Sequence, residues 1–288
     1  MQNSSLLSNF LPIALGIIML GLGLSLTLDD FRRVVRYPKA MAIALVCQMI
    51  LLPVVCFGIA KVLGLPPALA VGLMLLAASP GGATANLYSH LSEGDVALNI
   101  TLTAVNSLLT LFTLPLIVNF SIEHFMAADQ HITMQFKKIL EVFGIVLVPV
   151  SIGMLIRAKI PAFAARMDKP VKIASALLLV MVIALLIYQE RTRLGSYIEQ
   201  VGLAVLVFNI LSMVIGYWFP QWLGVGQKQA IAIGMEIGIH NATLAIYIAL
   251  NVLKDNQMSI PPGLYGIIMF FTAAVFGYWV RKRIKSTQ

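Results

Sequence analysis

One acidic side chain lies inside a long apolar stretch, and its position is the strongest chemical signal in the sequence. Glu236 is the only carboxylate of residues 229–253. A charge in the middle of a membrane-spanning segment costs about 2.5–3.5 kcal/mol on insertion scales, and it requires a cation, a proton or a basic side chain as partner. Gly234 and Gly238 flank it and are predicted to loosen the helix, so that backbone carbonyls face an ion. These residue types predict coupling to an ion or a proton; a buried structural hydrogen bond is the alternative.

His240 follows Glu236 by four residues. The two side chains share a face if the helix persists to that point, which would allow an ion pair between them. The pattern is weak as a transition-metal site because the other histidines stand near segment ends or in connections. They are His90, His124 and His131.

A second interruption lies in residues 78–86, which read ASPGGATAN. Pro80 removes a backbone donor and clashes with the preceding turn, and Gly81 and Gly82 follow directly, so a continuous helix is not expected. Unpaired backbone at membrane depth is tolerated only where it faces protein or a wet cavity. The amide of Asn86 would then be available to an ion or a substrate; a proline kink that serves packing is the alternative.

The composition defines the class of protein. Of the 288 residues 59% are hydrophobic and 11% charged, and the mean hydropathy is +0.91, whereas soluble domains carry about 25% charged residues. The net charge of +8 comes from basic residues at segment ends, which is typical of membrane topology and excludes nucleic acid as the partner. No cleavable signal is expected, since the first apolar run is long enough to remain a span. Cys47 and Cys56 are predicted to be buried small hydrophobes.

Nine apolar segments of about 20 residues each predict an all-α polytopic membrane protein with nine transmembrane helices and no soluble domain. The segments are 8–28, 40–61, 66–90, 96–122, 137–157, 171–189, 197–219, 228–252 and 259–280.

The basic residues predict the orientation of these spans. With the N-terminus outside, 14 lysines and arginines fall on the inner side and 6 on the outer side, in line with the positive-inside rule. Trp218, Trp222 and Trp279 stand near segment ends, where aromatic belts form. We therefore expect a multi-pass protein of the inner (plasma) membrane with its C-terminus in the cytoplasm.

The two interrupted segments are five segments apart, and an odd separation gives them opposite orientations. A pair of broken helices in an inverted repeat is typical of transporters that work by alternating access. Half-helix N-termini then face an anionic substrate, while carbonyls and carboxylates hold a cation. A channel fits this pair less well, and an enzyme is disfavoured because no catalytic motif is present.

Further polar residues stand in apolar segments near these interruptions. Asn99 and Thr103 are four apart, on one helical face, and Gln48 is the only strongly polar side chain in the core of its segment. Each of them alone is more often an inter-helix hydrogen bond than a ligand.

These motifs, in this order, resemble the bile acid:sodium symporter family in its nine-helix form. The resemblance covers nearly the whole chain and rests on residues 15–26, 29–31, 37–39, 48–53, 80–86, 93–98 and 236–241. It implies a core domain of the helices near 40–61, 66–90, 96–122, 197–219, 228–252 and 259–280. It also implies a panel domain of the helices near 8–28, 137–157 and 171–189, against which the core rocks.

The resemblance also implies the coupling ion, Na⁺, and its ligands. One sodium would be bound by Asn86, Asn99, Thr103 and Glu236, and a second by Glu236, Gln48 and, less well matched, His240. The chain departs from the family pattern at Ala85, where a serine is common, and at Asn99, which supplies a replacement oxygen. It departs again at His240, which stands where glutamine is common and puts the second sodium in doubt, because imidazole ligates sodium poorly.

The function expected from this resemblance is sodium-coupled import of a small organic anion, either bile-acid-like or like pantothenate or a keto acid, with no obligate protein partner. The substrate is expected around the two interruptions, at Pro80, Gly81, Gly82, Thr84, Asn86 and Asn241. The alternative is a proton-coupled organic acid carrier that uses Glu236 and His240.

Overall fold

The structure, a computed structural model, describes residues 2–126 and 136–287, which fold into thirteen α-helices. No β-strand occurs in this part of the chain, so the predicted all-α class is confirmed. The helices are α1 (Gln2–Ser25), α2 (Leu28–Arg32), α3 (Pro38–Val46), α4 (Leu52–Val62), α5 (Pro67–Ala77), α6 (Ala85–Leu91), α7 (Val96–Phe125), α8 (Phe136–Lys159), α9 (Pro161–Glu190), α10 (Leu194–Trp222), α11 (Gln227–Gly238), α12 (Ala242–Tyr247) and α13 (Ile260–Thr287). A π-helical turn, Cys47–Leu51, joins α3 to α4, and another, Ile248–Val252, extends α12.

Six helices of the described residues are long and apolar enough to cross a membrane. A seventh span is added if α1 and the short helices after it, which bend away by 73°, count as one. The remaining predicted segments, 66–90 and 228–252, are each divided into helices too short to cross alone. A polytopic membrane protein is therefore supported, and the number of nine spans stays a prediction.

Both predicted interruptions are present, but the second lies later than the glycines suggested. The first interrupted segment, 66–90, breaks between Ala77 and Ala85, around Pro80. In the second, α11 runs through Gly234 and ends only at Gly238. Residues 239–241 lie outside the helix, so the condition for a shared face is not met and His240 does not continue the helical face of Glu236.

Gly234 and Gly238 instead allow α10 to pack closely against α11. A Cβ on Gly234 would lie 3.3 Å from the carbonyl oxygen of Met213, and one on Gly238 would overlap the Met213 side chain. Small residues at such contacts are common between membrane helices because they bring backbones together.

The helices form two groups of neighbours. Helix α1 packs along α8 and α9, with Gly23 and Gly153 so close to the facing backbones that a Cβ on either would overlap them. Helix α10 packs against α11 and α13, while α7 contacts α5, α6 and α11. The first group consists of the three helices predicted to form the panel.

Basic residues gather at one end of the helix bundle. Lys39 lies beside Gly224, the backbone N–H of Asp95 donates to the carbonyl of Lys228 (2.9 Å), and Arg281 pairs with Glu93 (3.3 Å). This end holds residues that the charge count assigned to the inner side, and which side of the membrane it faces stays a prediction. The two cysteines are buried and free, as predicted.

Candidate ion and substrate site

The two interrupted segments meet in the middle of the bundle and satisfy each other's backbone. Gly81 and His240 form an isolated antiparallel bridge. The N–H of Gly82 donates to the carbonyl of Ile239 (2.6 Å), and the N–H of Asn241 donates to the carbonyl of Pro80 (2.8 Å). This crossing meets the requirement that unwound backbone at membrane depth be paired within the protein.

Glu236 lies at this crossing, with 1% of its surface exposed. Its Oε2 accepts a hydrogen bond from the hydroxyl of Thr103 (2.6 Å), whereas its Oε1 has no partner. Gly81 faces the carboxylate so closely that a Cβ there would overlap it. One oxygen of this buried carboxylate is therefore left without a hydrogen bond, which is costly at a desolvated position.

Asn99 and Asn86 each have a buried amide oxygen without a hydrogen bond. Asn99 donates through Nδ2 to the carbonyl of Ala232 (2.7 Å), which leaves its Oδ1 unpaired, and the Oδ1 of Asn86 is also unpaired. Asn99 is one turn from Thr103 on α7, and Asn86 is the second residue of α6, which follows the crossing. One carboxylate with neutral oxygens is the donor set that a hard monovalent cation prefers.

Gln48 and His240 converge on a different atom, the carbonyl oxygen of Ser79. The Nε2 of Gln48 donates to it (3.0 Å), and the Nδ1 of His240 lies 3.2 Å from it. Because a carbonyl oxygen accepts, that contact assigns the ring proton to Nδ1. The Nε2 of His240 and the Oε1 of Gln48 have no hydrogen-bond partner. The structure places Phe208 and Tyr265 against the imidazole ring. Among the described side chains no ion pair joins Glu236 to His240.

A polar cluster that sequence reasoning missed holds the last carbonyl of α11. The amide of Asn209 (3.1 Å) and the hydroxyl of Tyr265 (2.8 Å) both donate to the oxygen of Gly238, and Thr272 donates to the Oδ1 of Asn209. This carbonyl is therefore occupied and does not face an ion. A lone asparagine in the apolar α10 was the available signal.

Asn106 was also missed. It follows Thr103 by three residues on α7 and lies beside the Glu236 carboxylate, with its Nδ2 unpaired and its Oδ1 accepting from Thr110 (3.3 Å). Asn99, Thr103, Asn106 and Thr110 are all buried and form a polar stripe at helical spacing. The spacing of three and four residues could have revealed this face from the sequence.

The predicted substrate residues lie on both sides of the crossing. A cavity of about 40 Å³ is lined by Gly82, Thr84 and Asn241, together with His240 and Ser175. Pro80 lines a smaller cavity of about 10 Å³ on the side of α7 and α8. Gly81 and Asn86 line neither of these two cavities. The larger one has room for no more than a few water molecules, so an organic anion requires these helices to separate.

We expect Tyr265→Phe to lower the thermal stability of the protein without changing its fold. The substitution removes one of the two donors to the Gly238 carbonyl, and a buried hydrogen bond of this kind contributes about 1 kcal/mol. Thermal unfolding of the purified protein measures the effect. Tyr278→Phe is the control because Tyr278 is 72% exposed, and an equal loss in both variants would contradict the assignment.

Comparison with known proteins assigns the family. The model of the sodium bile acid symporter family matches residues 12–197, which include the first interrupted segment. The chain belongs to the sodium bile acid symporter family. Because this is a family of transporters, membership argues against an enzyme. Separately, within the described residues no group of three histidine, cysteine, aspartate or glutamate side chains could hold a metal ion.

The relatives extend the similarity over both interrupted segments. The chain is 25% identical to the probable sodium/metabolite cotransporter BASS2, chloroplastic, of Oryza sativa subsp. japonica over 96% of its own length, and it spans 65% of that protein. It is 25% identical to the uncharacterized sodium-dependent transporter YocS of Bacillus subtilis, with 98% of this chain and 86% of YocS covered. The ileal sodium/bile acid cotransporter of Oryctolagus cuniculus is also 25% identical, over 97% of this chain and 81% of that protein.

Proposed function

We propose that the chain is a secondary active symporter that couples the import of a small organic anion to sodium. The observation that carries the proposal is the unpaired Oε1 of the buried Glu236, beside the crossing of two broken helices. Family membership supports it, as do relatives whose names describe sodium-dependent transport.

The ion site we propose consists of Glu236, Thr103, Asn99 and Asn86. A single carboxylate neutralises one positive charge, which suits Na⁺ better than Ca²⁺, whose sites commonly contain several carboxylates. Binding would occupy the oxygens of Glu236, Asn99 and Asn86 that the protein leaves unpaired. The protein would gain stability from the ion in proportion to its occupancy.

A second sodium at Gln48 and His240 has less support. The unpaired oxygen of Gln48 is a ligand for a cation, but the adjacent Ser79 carbonyl already accepts from Gln48 and lies beside the Nδ1–H of His240. We therefore propose that His240 weakens the second site, so that ion coupling depends mainly on the first.

The substrate site we propose is the cavity at Thr84 and Asn241. The side-chain oxygen of Asn241 caps α12 by accepting from the N–H of Leu244 (3.0 Å), so its amide N–H groups are free to donate to a substrate. Thr84 and Ser175 add hydroxyl donors to the lining of this cavity. Neutral donors beside a bound cation suit a carboxylate, and we favour a small organic acid over a true bile acid.

Transport would proceed by rocking of the core helices against the panel formed by α1, α8 and α9. Both cavities adjoin the crossing, one against α7 and α8 and the other against α9 and α13, and we propose that they open alternately. Uptake of labelled small carboxylic acids into proteoliposomes, driven by an inward sodium gradient, tests this proposal. Uptake that is equal with sodium and with potassium would refute sodium coupling.

The proton-coupled alternative gains no support from the geometry. Its proton pair, Glu236 and His240, is separated by the end of α11, and the two side chains bind Thr103 and Ser79 respectively. We do not adopt it.

We expect His240→Gln to strengthen the sodium dependence of transport. Glutamine offers an amide oxygen to the second site, whereas neutral imidazole offers a single nitrogen lone pair. Sodium titration of uptake at a fixed substrate concentration would show a lower half-saturating concentration or a steeper curve. An unchanged sodium curve would mean that His240 serves packing alone.

A further inference from the structure

A large cleft opens where the chain bends after α1, away from the crossing. The helices of residues 28–36 turn by 73° from α1 and lie across the end of the bundle. Between this bend and the junction of α8 with α9 is a cleft of about 680 Å³. Its lining includes Leu26, Leu28, Arg32, Met154, Leu155 and Arg157.

The rim of the cleft carries two arginines, Arg32 and Arg157, and one carboxylate, Asp29. No carboxylate of a described side chain lies within ion-pair distance of Arg157. Arg32 contacts Asp29 at 3.3 Å, but both side chains are more than 70% exposed, and such pairs contribute little stability. Both guanidinium groups are therefore available to an anion. Arg33, in contrast, is bound to the buried Asp30 (2.6 Å).

The walls of the cleft are mainly apolar, and several of their side chains are exposed. Leu28 is 68% exposed and Leu155 58% exposed, and both lie on helices at the end of the bundle that carries the predicted inner-side basic residues. A short helix that lies across a bundle end with leucine and arginine side chains exposed is typical of the membrane interface. The cleft thus combines a charged rim at head-group depth with an apolar floor.

We propose that this cleft binds an anionic phospholipid. Its phosphate lies between Arg32 and Arg157, since guanidinium groups bind phosphate oxygens in bidentate fashion. One acyl chain follows the apolar wall formed by Met154 and Leu155. Basic pockets between membrane helices bind acidic head groups in this way, and the volume lies within the range of ligand pockets. A free phosphate ion would leave the apolar wall uncovered.

Lipid binding to the purified full-length protein tests the proposal. In detergent micelles, native mass spectrometry during titration with phosphatidylglycerol or phosphatidylcholine gives the affinity of each lipid. We expect phosphatidylglycerol to bind at least about tenfold more tightly than phosphatidylcholine, because the two arginines at the rim attract its negative charge. The double variant Arg32→Gln/Arg157→Gln should lose this preference, and each single variant should lose part of it.

A matched control removes two positive charges elsewhere at the same end of the bundle. Lys228→Gln/Lys282→Gln should keep the preference for phosphatidylglycerol, because neither residue lines the cleft. A preference retained in the Arg32/Arg157 variants, or lost equally in the control, would overturn the proposal. Equal affinity for the two lipids would do the same, as would full displacement of phosphatidylglycerol by an equal concentration of inorganic phosphate. The melting temperature of each variant without added lipid verifies folding.

Discussion

Glu236→Gln is expected to abolish sodium-driven uptake while the protein still inserts into the membrane. Glutamine keeps the size of the side chain and an oxygen that can accept from Thr103, but it removes the negative charge that balances the ion. A neutral site in a desolvated position loses the main source of cation affinity, so we expect uptake to fall at least about a hundredfold, equivalent to about 2.7 kcal/mol. The initial rate of uptake in proteoliposomes is the measurement.

The matched control is Glu141→Gln, which neutralises another carboxylate of the chain. Glu141 is 41% exposed and pairs with Lys138 at 2.8 Å on α8, so its loss should leave uptake within about twofold of the unsubstituted protein, since exposed pairs contribute little. Unchanged uptake by Glu236→Gln would contradict the site, and equal losses in both variants would point to a general effect of charge.

Gly81→Ala is expected to have the second-largest effect. The new methyl group would occupy the volume of the Glu236 carboxylate, which would have to move away from Thr103, or else the crossing would have to open. Overpacking of a well-packed site costs about 1–3 kcal/mol. We expect a lower melting temperature. We also expect the sodium affinity to fall at least about tenfold, which is equivalent to about 1.4 kcal/mol.

Gly58→Ala gives the comparison for this substitution. Gly58 lies within α4, and a Cβ there would meet no atom within 4 Å. Alanine favours helix by about 1 kcal/mol over glycine, so this variant should be as stable as the unsubstituted protein or more so, with normal sodium affinity. If Gly81→Ala behaves like Gly58→Ala, the carboxylate does not lie where the structure places it.

Local sequence signals predicted the parts of the fold that depend on backbone chemistry. Pro80 with two following glycines predicts a helix break wherever it occurs, because proline lacks the donor and its ring clashes with the preceding turn. The lengths of the apolar segments predict the long helices, since about 20 residues are needed to cross the hydrocarbon core.

The remaining features depend on contacts between distant segments. Gly234 was predicted to loosen α11. In the structure it instead allows the backbone of Met213 on α10, 21 positions earlier in the chain, to pack closely against α11. His240 would share a face with Glu236 only in a continuous helix, but the backbone pairing of residues 80–82 with 239–241 turns it to the carbonyl of Ser79. Asn209 was overlooked because its partner is the carbonyl of Gly238. That carbonyl needs a donor from outside the helix only because α11 ends there.

The most direct test of sodium binding at Glu236 is the thermal stability of the purified protein during sodium titration, with potassium replacing sodium at constant ionic strength. We predict that the melting temperature rises with sodium concentration and saturates, as expected for a ligand that binds only the folded state. Potassium should give no such rise, and Glu236→Gln should abolish it. A flat sodium response, or a rise that persists in Glu236→Gln, would contradict the assignment of this carboxylate as the ligand of the coupling ion.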